Sequence, residues 1–113
     1  MRNVELVNAT TYEGSTEVTR PEAIATPQID DGCVRVVRWD FAPGAETTRH
    51  VHQYDYVVVP LTSGTLTIEA PDGSVATADL AAGVSYNRSA GVEHNVVNDN
   101  VHEFAFVEIE LLA

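Results

Sequence analysis

The sequence contains no lysine and a single cysteine, Cys33, among its 113 residues. One cysteine cannot form an internal disulfide, and we expect Cys33 to be a small buried apolar residue. The only formal cations are six arginines, and the net charge is −11. Nucleic acids and anionic membranes require a basic surface that neutralises phosphates, so we expect neither as a partner. This scarcity makes any arginine near a pocket a candidate for binding an anion.

Long apolar runs are also missing. No segment is long and apolar enough to span a bilayer, and the first eight residues lack the apolar core of a signal peptide. From the absence of these signals we expect a cytoplasmic protein. The length and the 44% hydrophobic content fit one compact domain whose core needs no disulfide.

Helical periodicity is absent as well, and from Cys33 onward short β-rich segments alternate with turns. Such segments, with turn signals every eight to twelve residues, predict an all-β sandwich or barrel. One segment, Tyr56–Leu61, is almost continuously apolar, which predicts burial on both of its faces. The predicted strands are Cys33–Phe41, the segment around His50, Tyr56–Leu61, Thr65–Glu69, Ser74–Leu80, Val84–Asn87, Glu93–Asn98 and Glu103–Leu111.

Residues 1–32 are less regular than the rest of the chain. Pro21 and Pro27 flank a weakly helical stretch, Glu22–Ala25, and other parts of this segment could form short outer strands. We expect residues 1–32 to form an N-terminal arm that wraps the domain or reaches a partner subunit. Residues 33–113 would then form the barrel of a single domain.

Two histidines stand out in this pattern. His50 and His52 are two residues apart in an extended, β-branched and aromatic context. Alternate residues of a strand point to the same face, so both imidazoles are expected on one side. This pair is half of a possible metal site, and further ligands have to come from elsewhere in the chain.

Two glycine-bounded motifs contain the candidate ligands. The first reads Gly44, five residues, His50-Val51-His52 and, further on, Gly64. The second reads Gly83, five residues, Ser89-Ala90-Gly91, two residues, His94, three residues and Asn98. In their order and internal spacing these motifs resemble the two motifs of the cupin superfamily, in particular its small single-domain members with one conserved barrel.

The resemblance implies a cupin jelly-roll barrel, also called a double-stranded β-helix. It implies that His50, His52 and His94 face one another inside the barrel and bind a metal ion. Neutral imidazoles suit the divalent transition metals Fe, Mn, Ni, Cu and Zn, and the sequence leaves the choice among them open.

The chain departs from the cupin pattern at two positions. The glutamate that completes the family's metal site is missing, and its place is taken by Tyr56 or Val57, depending on how the spacing is counted. Ser89 also replaces the proline of the second motif. The resulting three-histidine set is similar to that of cupin dioxygenases that use non-haem iron.

Several polar residues are further candidates for the pocket. Asn98 shares the strand parity of His94, and Glu46 shares that of His50. Tyr54 and Tyr56 could line the pocket or donate a hydrogen bond to substrate. Two arginines, Arg38 and Arg88, are candidates for binding a substrate carboxylate.

Three functions remain open at this point. The first is a metal-dependent enzyme resembling the three-histidine dioxygenases, acting on a small polar or anionic molecule. The second is a non-catalytic cupin that binds or senses a small ligand, and the third is a degenerate cupin without metal. In each case the resemblance implies a homodimer.

Overall fold

A computed structural model describes residues 19–113, which form nine β-strands and no helix. In this part of the chain there is accordingly no helix that could cross a membrane. The all-β prediction is confirmed. The strands are β1 (Ile24–Asp30), β2 (Val34–Phe41), β3 (His50–Val51), β4 (Tyr56–Pro60), β5 (Gly64–Glu69), β6 (Val75–Leu80), β7 (Tyr86–Arg88), β8 (Glu93–Val97) and β9 (Phe104–Leu111).

The strands form two sheets with antiparallel pairing. The larger sheet has the order β1-β2-β9-β4-β7, and the smaller has the order β3-β8-β5-β6. The strands β1–β2 and β5–β6 are hairpin neighbours, whereas the other neighbouring strands are distant in sequence, as when β2 pairs with β9 from Val34↔Leu111 to Phe41↔Phe104. The core draws side chains from both sheets: Phe41, Tyr56, Val58, Phe104 and Phe106 from the larger, Leu66 and Val96 from the smaller.

The first strand corrects one expectation for the N-terminal arm. The stretch expected to be weakly helical leads into β1, which pairs with β2 from Ile24↔Asp40 to Asp30↔Arg35. Proline lacks the donor that a helix or a regular ladder needs, and the pairing shifts its register between Pro27 and Ile29. The division between residues 32 and 33 stays a prediction, and the arm before residue 19 lies outside the described residues.

Two predictions about burial were wrong. The strand β4 alternates, with Tyr56, Val58 and Pro60 buried and the residues between them half-buried. The apolar side chains of β4 are therefore fully buried on only one face of the strand. Cys33 is exposed, because it lies in the turn between β1 and β2, where its backbone nitrogen donates to Asp31 Oδ1 at 2.9 Å.

A buried asparagine joins the loops at one end of the two sheets. Asn98 is 0% exposed, and its Nδ2 donates to the carbonyl oxygens of Ala42 at 3.2 Å and His102 at 2.9 Å. Its Oδ1 accepts from the backbone nitrogen of Asn100 at 3.1 Å. These bonds give Asn98 a structural role at the ends of β2, β8 and β9.

We predict that Asn98→Ala lowers the free energy of unfolding by about 2 kcal/mol, because it leaves buried backbone groups without partners. Asn87→Ala, at an exposed position of β7, is the control and should change it little. Urea unfolding followed by tryptophan fluorescence measures both. Equal midpoints for the two variants would contradict the structural role of Asn98.

Candidate metal centre

Backbone hydrogen bonds place the two histidine motifs side by side. β3 pairs with β8 so that His50 lies opposite His94. His52 follows β3, and its backbone nitrogen donates to Val92 O at 2.8 Å while its carbonyl accepts from Gly91 N at 2.8 Å. Gly91 has a φ of 96°, a conformation that glycine adopts without steric cost. The pairing of the motifs therefore continues beyond the regular ladder and orients all three histidines.

The three imidazoles point their Nε2 atoms at one another. His50 Nε2 lies 3.0 Å from His52 Nε2, which in turn lies 3.2 Å from His94 Nε2. The three rings meet edge to face. An ion about 2.1 Å from each nitrogen would see neighbouring donors at angles of about 90° to 100°. This is the arrangement of three ligands on one face of a metal ion, with positions left open opposite them.

The tautomer of His50 fits this arrangement. His50 Nδ1 lies 2.9 Å from the carbonyl oxygen of Thr48. A carbonyl only accepts, so Nδ1 carries the proton and the lone pair of Nε2 faces the other imidazoles. Thr48 itself has a φ of 73°, a conformation that costs a β-branched residue about 1–3 kcal/mol. The strained backbone of Thr48 thus positions the carbonyl oxygen that accepts the hydrogen bond from His50 Nδ1.

The other two histidines are neutral near pH 7. Burial, and then the charge of His50, lower the pKa of His52 to about 4. Burial, followed by the charges of His50, His52 and Arg88, lowers the pKa of His94 to about 4. Neutral imidazoles are the form that binds metals. Three lone pairs brought this close repel one another unless a cation or a shared proton lies between them, so the donor set fits a transition metal ion.

A carboxyl group that sequence reasoning missed lies beside the centre. Glu108, on β9, has its Oε2 3.7 Å from His52 Nδ1. Burial, and then the negative charge of Glu110, raise the pKa of Glu108 to about 7. Strand parity could have indicated it, because Glu108 shares its face of β9 with the buried Phe104 and Phe106. The chain therefore carries an acid near the histidines, although on a different strand from the one where cupins carry theirs.

Tyr56 and Val57 were both possible at the position of the missing glutamate. Tyr56 is buried and stacks on His52, with ring centroids 3.9 Å apart and an interplanar angle of 17°. Val57 is half-buried and does not line the cavity at the histidines. Burial, followed by the charge of Glu108, raises the pKa of Tyr56 to about 12. Its hydroxyl therefore keeps its proton, so a hydrogen-bond donor occupies the side of the site where a carboxylate is missing.

The histidines open into a cavity of about 140 Å³. Its walls combine the three imidazoles with two tyrosines, one arginine and two acids, and a set of aliphatic side chains closes it from the smaller sheet. The lining includes Thr47, His50, His52, Tyr56, Leu66, Ile68, Tyr86, Arg88, Glu93, His94, Val96, Phe106 and Glu108.

A second group of potential ligands shares one histidine with the first. His52, Glu108 and Glu110 also bring one ligand atom each within 4.8 Å of the others. However, Glu110 Oε1 accepts from Arg35 Nη1 at 3.2 Å. The three-histidine group offers donors free of such an ion pair and is the better candidate centre.

Comparison with known proteins agrees with this geometry. No family model matches the chain. The β-alanine degradation protein BauB of Pseudomonas aeruginosa is 58% identical over 92 residues, which are 81% of this chain and 96% of that protein. The crystal structure of a cupin domain from Bordetella pertussis is 54% identical, with a TM-score of 0.82, and the match covers 86% of this chain and all of that one. This chain belongs to the cupin superfamily.

The cupin jelly-roll prediction is thereby confirmed. A conserved protein with a double-stranded β-helix domain from Klebsiella pneumoniae is 24% identical, with a TM-score of 0.67 over 85% of this chain and 82% of that one. At that identity the likeness shows the fold alone. The fold is thus shared by a protein of low sequence identity.

Four of the residues predicted to line the pocket lie outside the cavity of this cupin. Tyr54 lies in the irregular segment between β3 and β4, where strand parity does not apply, and its ring faces Arg35 at 6.0 Å. Arg38 pairs with Asp40 on the same strand, and Asn98 holds the loops described above. Glu46 Oε1 accepts from Asn95 Nδ2 at 2.7 Å.

Glu46 nevertheless connects to the centre through its neighbours. Thr47 Oγ1 lies 3.4 Å from Asn95 Oδ1 and 3.3 Å from His50 Nδ1. Arg20 pairs with both Glu46 and Glu69, at 3.3 and 3.1 Å. Glu46 is thus an outer support of His50 rather than a wall of the cavity.

We predict that the metal-free protein loses stability as pH falls. His52 and His94 have folded pKa values of about 4 against about 6.5 in an unfolded chain, so their contribution is complete above pH 6.5 and is lost toward pH 4. Glu108, with its raised pKa of about 7, acts oppositely: its contribution is lost as pH rises through 7.

Urea unfolding in the presence of a chelator between pH 6.5 and 4.5 measures this dependence. His52→Gln removes one titrating imidazole and should make the fall in unfolding free energy shallower than in the parent protein. His102→Gln, at an exposed position, should leave it unchanged. An unchanged slope in His52→Gln would show that His52 is protonated equally easily in both states.

Proposed function

We propose that this cupin is a metal-dependent protein that binds a small polar or anionic molecule, and that it is an enzyme resembling the three-histidine dioxygenases. The convergence of the His50, His52 and His94 Nε2 atoms at 3.0 and 3.2 Å is the observation that supports this most strongly. An all-imidazole set accommodates Fe, Mn, Ni, Cu or Zn. Such an ion, when bound, supplies Lewis acidity and, if it is redox-active, exchanges electrons with substrate and O₂.

The residues around the histidines would orient the substrate and exclude water. Leu66, Ile68 and Val96 form an apolar wall of the cavity, which strengthens electrostatic interactions inside it. Tyr56 keeps its proton and can donate a hydrogen bond to a substrate oxygen. Glu108 Oε2 lies 3.7 Å from His52 Nδ1, and its negative charge favours the tautomer in which Nδ1 carries the proton and Nε2 faces the centre.

The substrate class is proposed from the relative BauB. That protein is named for the degradation of β-alanine, and its sequence is 58% identical over most of both chains. By extension, we propose that the ligand of the present chain is a short three-carbon acid of the same chemical class as β-alanine. A cavity of about 140 Å³ is in keeping with a molecule of that size.

The first test is metal content. Purified protein, reconstituted with Fe(II) or Zn(II), should bind about one equivalent by elemental analysis, and His94→Ala should bind only a trace, because two imidazoles hold an ion far less tightly than three. His102→Ala, which removes an exposed histidine, is the control and should bind as the parent does. A parent protein that stays metal-free after reconstitution would remove the proposed function and favour a degenerate cupin.

The second test separates an enzyme from a binding protein. Fe(II)-loaded protein should consume O₂ when mixed with a substrate from a panel of small organic acids, thiols and diketones, and chelation should abolish the uptake. An oxygen electrode measures this, with His94→Ala as the control for free iron. Tight binding of a panel member without O₂ uptake would instead favour a ligand-binding or sensing function.

We also propose that the protein is a homodimer, as single-domain cupins commonly are. The first strand supports this, because β1 is the edge of the larger sheet among the described strands and all of its residues are exposed. Ile24 and Ile29 are 65% and 48% exposed on this strand. The described part of the arm, residues 19–32, would then lie at the interface. Sedimentation at micromolar concentration should give twice the chain mass of 12.2 kDa, and a monomer at all concentrations would contradict the proposal.

A further inference from the structure

Among the described arginines, Arg88 differs from the others in its ion pairing. Four of the five arginines in residues 19–113 are paired with carboxylates: Arg20 with Glu46 and Glu69, Arg35 with Asp30 and Glu110, Arg38 with Asp40, and Arg49 with Glu93. Arg88 has no ion pair with any described residue. Its guanidinium carbon instead lies 5.7 Å from the centroid of the Tyr86 ring. In a chain with net charge −11, an arginine with no carboxylate partner among residues 19–113 needs another explanation than surface pairing.

The position of Arg88 provides that explanation. Arg88 lies on β7 opposite Tyr56 on β4, and it lines the same cavity as the three histidines. Its charge reaches the site, because it contributes to lowering the pKa of His94, after burial and the two other histidines. It also opposes the burial that raises the pKa of Tyr56. The guanidinium is therefore a cation at the wall of the cavity.

The other charged groups of the wall do not cancel Arg88. Glu93 is held by Arg49, with 2.7 Å between Oε2 and Nε. Glu108 lies against His52, with Oε2 3.7 Å from Nδ1. Both acids repel an anion, so Arg88 is the charged side chain of the wall that attracts the negative group of a ligand.

The dimensions of the cavity limit the rest of the ligand. At about 140 Å³ it is close to the roughly 150 Å³ of an engineered cavity that binds benzene, a molecule of about six non-hydrogen atoms. Part of the wall is aliphatic, which disfavours a second charge in the middle of the ligand. The cavity therefore suits a short acid with one charged end and one end at the histidines.

We propose that Arg88 binds the substrate's carboxylate and selects short monocarboxylates for this site. What binds at the opposite end of the ligand, next to the histidines, rests on the proposed function. The binding of the carboxylate by Arg88 does not. A guanidinium is suited to this task because it donates two parallel hydrogen bonds to a carboxylate. Arg88 is thus a binding and specificity residue.

Calorimetric titration with propionate tests the proposal, on both metal-free and Zn(II)-loaded protein. Arg88→Gln should weaken propionate binding by about 10- to 100-fold, the range expected for a lost hydrogen bond to a charged group. Arg88→Lys, which keeps the charge but not the paired donors, should recover part of the loss. Arg38→Gln is the matched control, because it removes an arginine of the same sheet that is paired with Asp40.

Propionamide distinguishes carboxylate binding from binding of the short chain alone. It should bind the parent protein much more weakly than propionate does, and equally weakly in Arg88→Gln. Parent-like propionate binding by Arg88→Gln, or equal affinity of the parent for propionate and propionamide, would overturn the proposal.

Zinc titration of Arg88→Gln separates this inference from the proposed function. Arg88→Gln should bind zinc as the parent does, since no Nε2 atom depends on Arg88. If the parent protein binds propionate through Arg88 but binds no metal, the carboxylate site stands and the metal-dependent function fails. If it binds metal but not propionate, the carboxylate inference fails and the metal centre stands.

Discussion

The antiparallel pairing of β3 with β8 is the constraint on which the site depends. It places His50 opposite His94, and the two hydrogen bonds that His52 makes with Val92 and Gly91 continue that pairing past the end of β3. Because the backbone positions all three histidines, their Nε2 atoms converge at 3.0 and 3.2 Å. The cost of this arrangement is visible next to it, in the positive φ of Thr48.

The cavity is also divided electrostatically, with different charges on the histidine side and on the side of Arg88. The histidine side holds the neutral imidazoles of His52 and His94, the protonated Tyr56 and Glu108. Arg88 provides a positive charge on the wall formed by β7. The protein has only six arginines against 17 acidic residues, so a positive charge in the wall of the cavity would not be expected from composition alone. Under the proposal that Arg88 binds a carboxylate, this division would orient a small ligand with its anionic end at Arg88 and its other end at the histidines. The proposed metal centre and the proposed carboxylate site thus use different residues.

Much of the fold could be predicted from the sequence, because period-two patterns and turn residues report local structure directly. They indicated β2 to β9, and the resemblance of two motifs to those of the cupin superfamily implied that His50, His52 and His94 face one another. The β1 strand was missed because its exposed residues show no burial pattern. Burial of Cys33 was wrong because residue type alone does not show that a cysteine lies in a hairpin turn.

Some residues of the site could not be predicted because contacts between strands distant in sequence bring them there. Glu108 approaches His52 only because β9 pairs with β4, and Arg88 joins the cavity because β7 pairs with the same strand. The parity argument placed Asn98 and Glu46 at the pocket, but it fails where the chain leaves the regular strand. The choice between Tyr56 and Val57 likewise needed the direction of β4 relative to the core.

Anomalous diffraction from a crystal of the metal-loaded protein tests the central claim most directly. The account predicts one peak, about 2.1 Å from the Nε2 atoms of His50, His52 and His94. A peak between His52, Glu108 and Glu110, the other group able to hold an ion, or no peak within reach of the three Nε2 atoms, would contradict it.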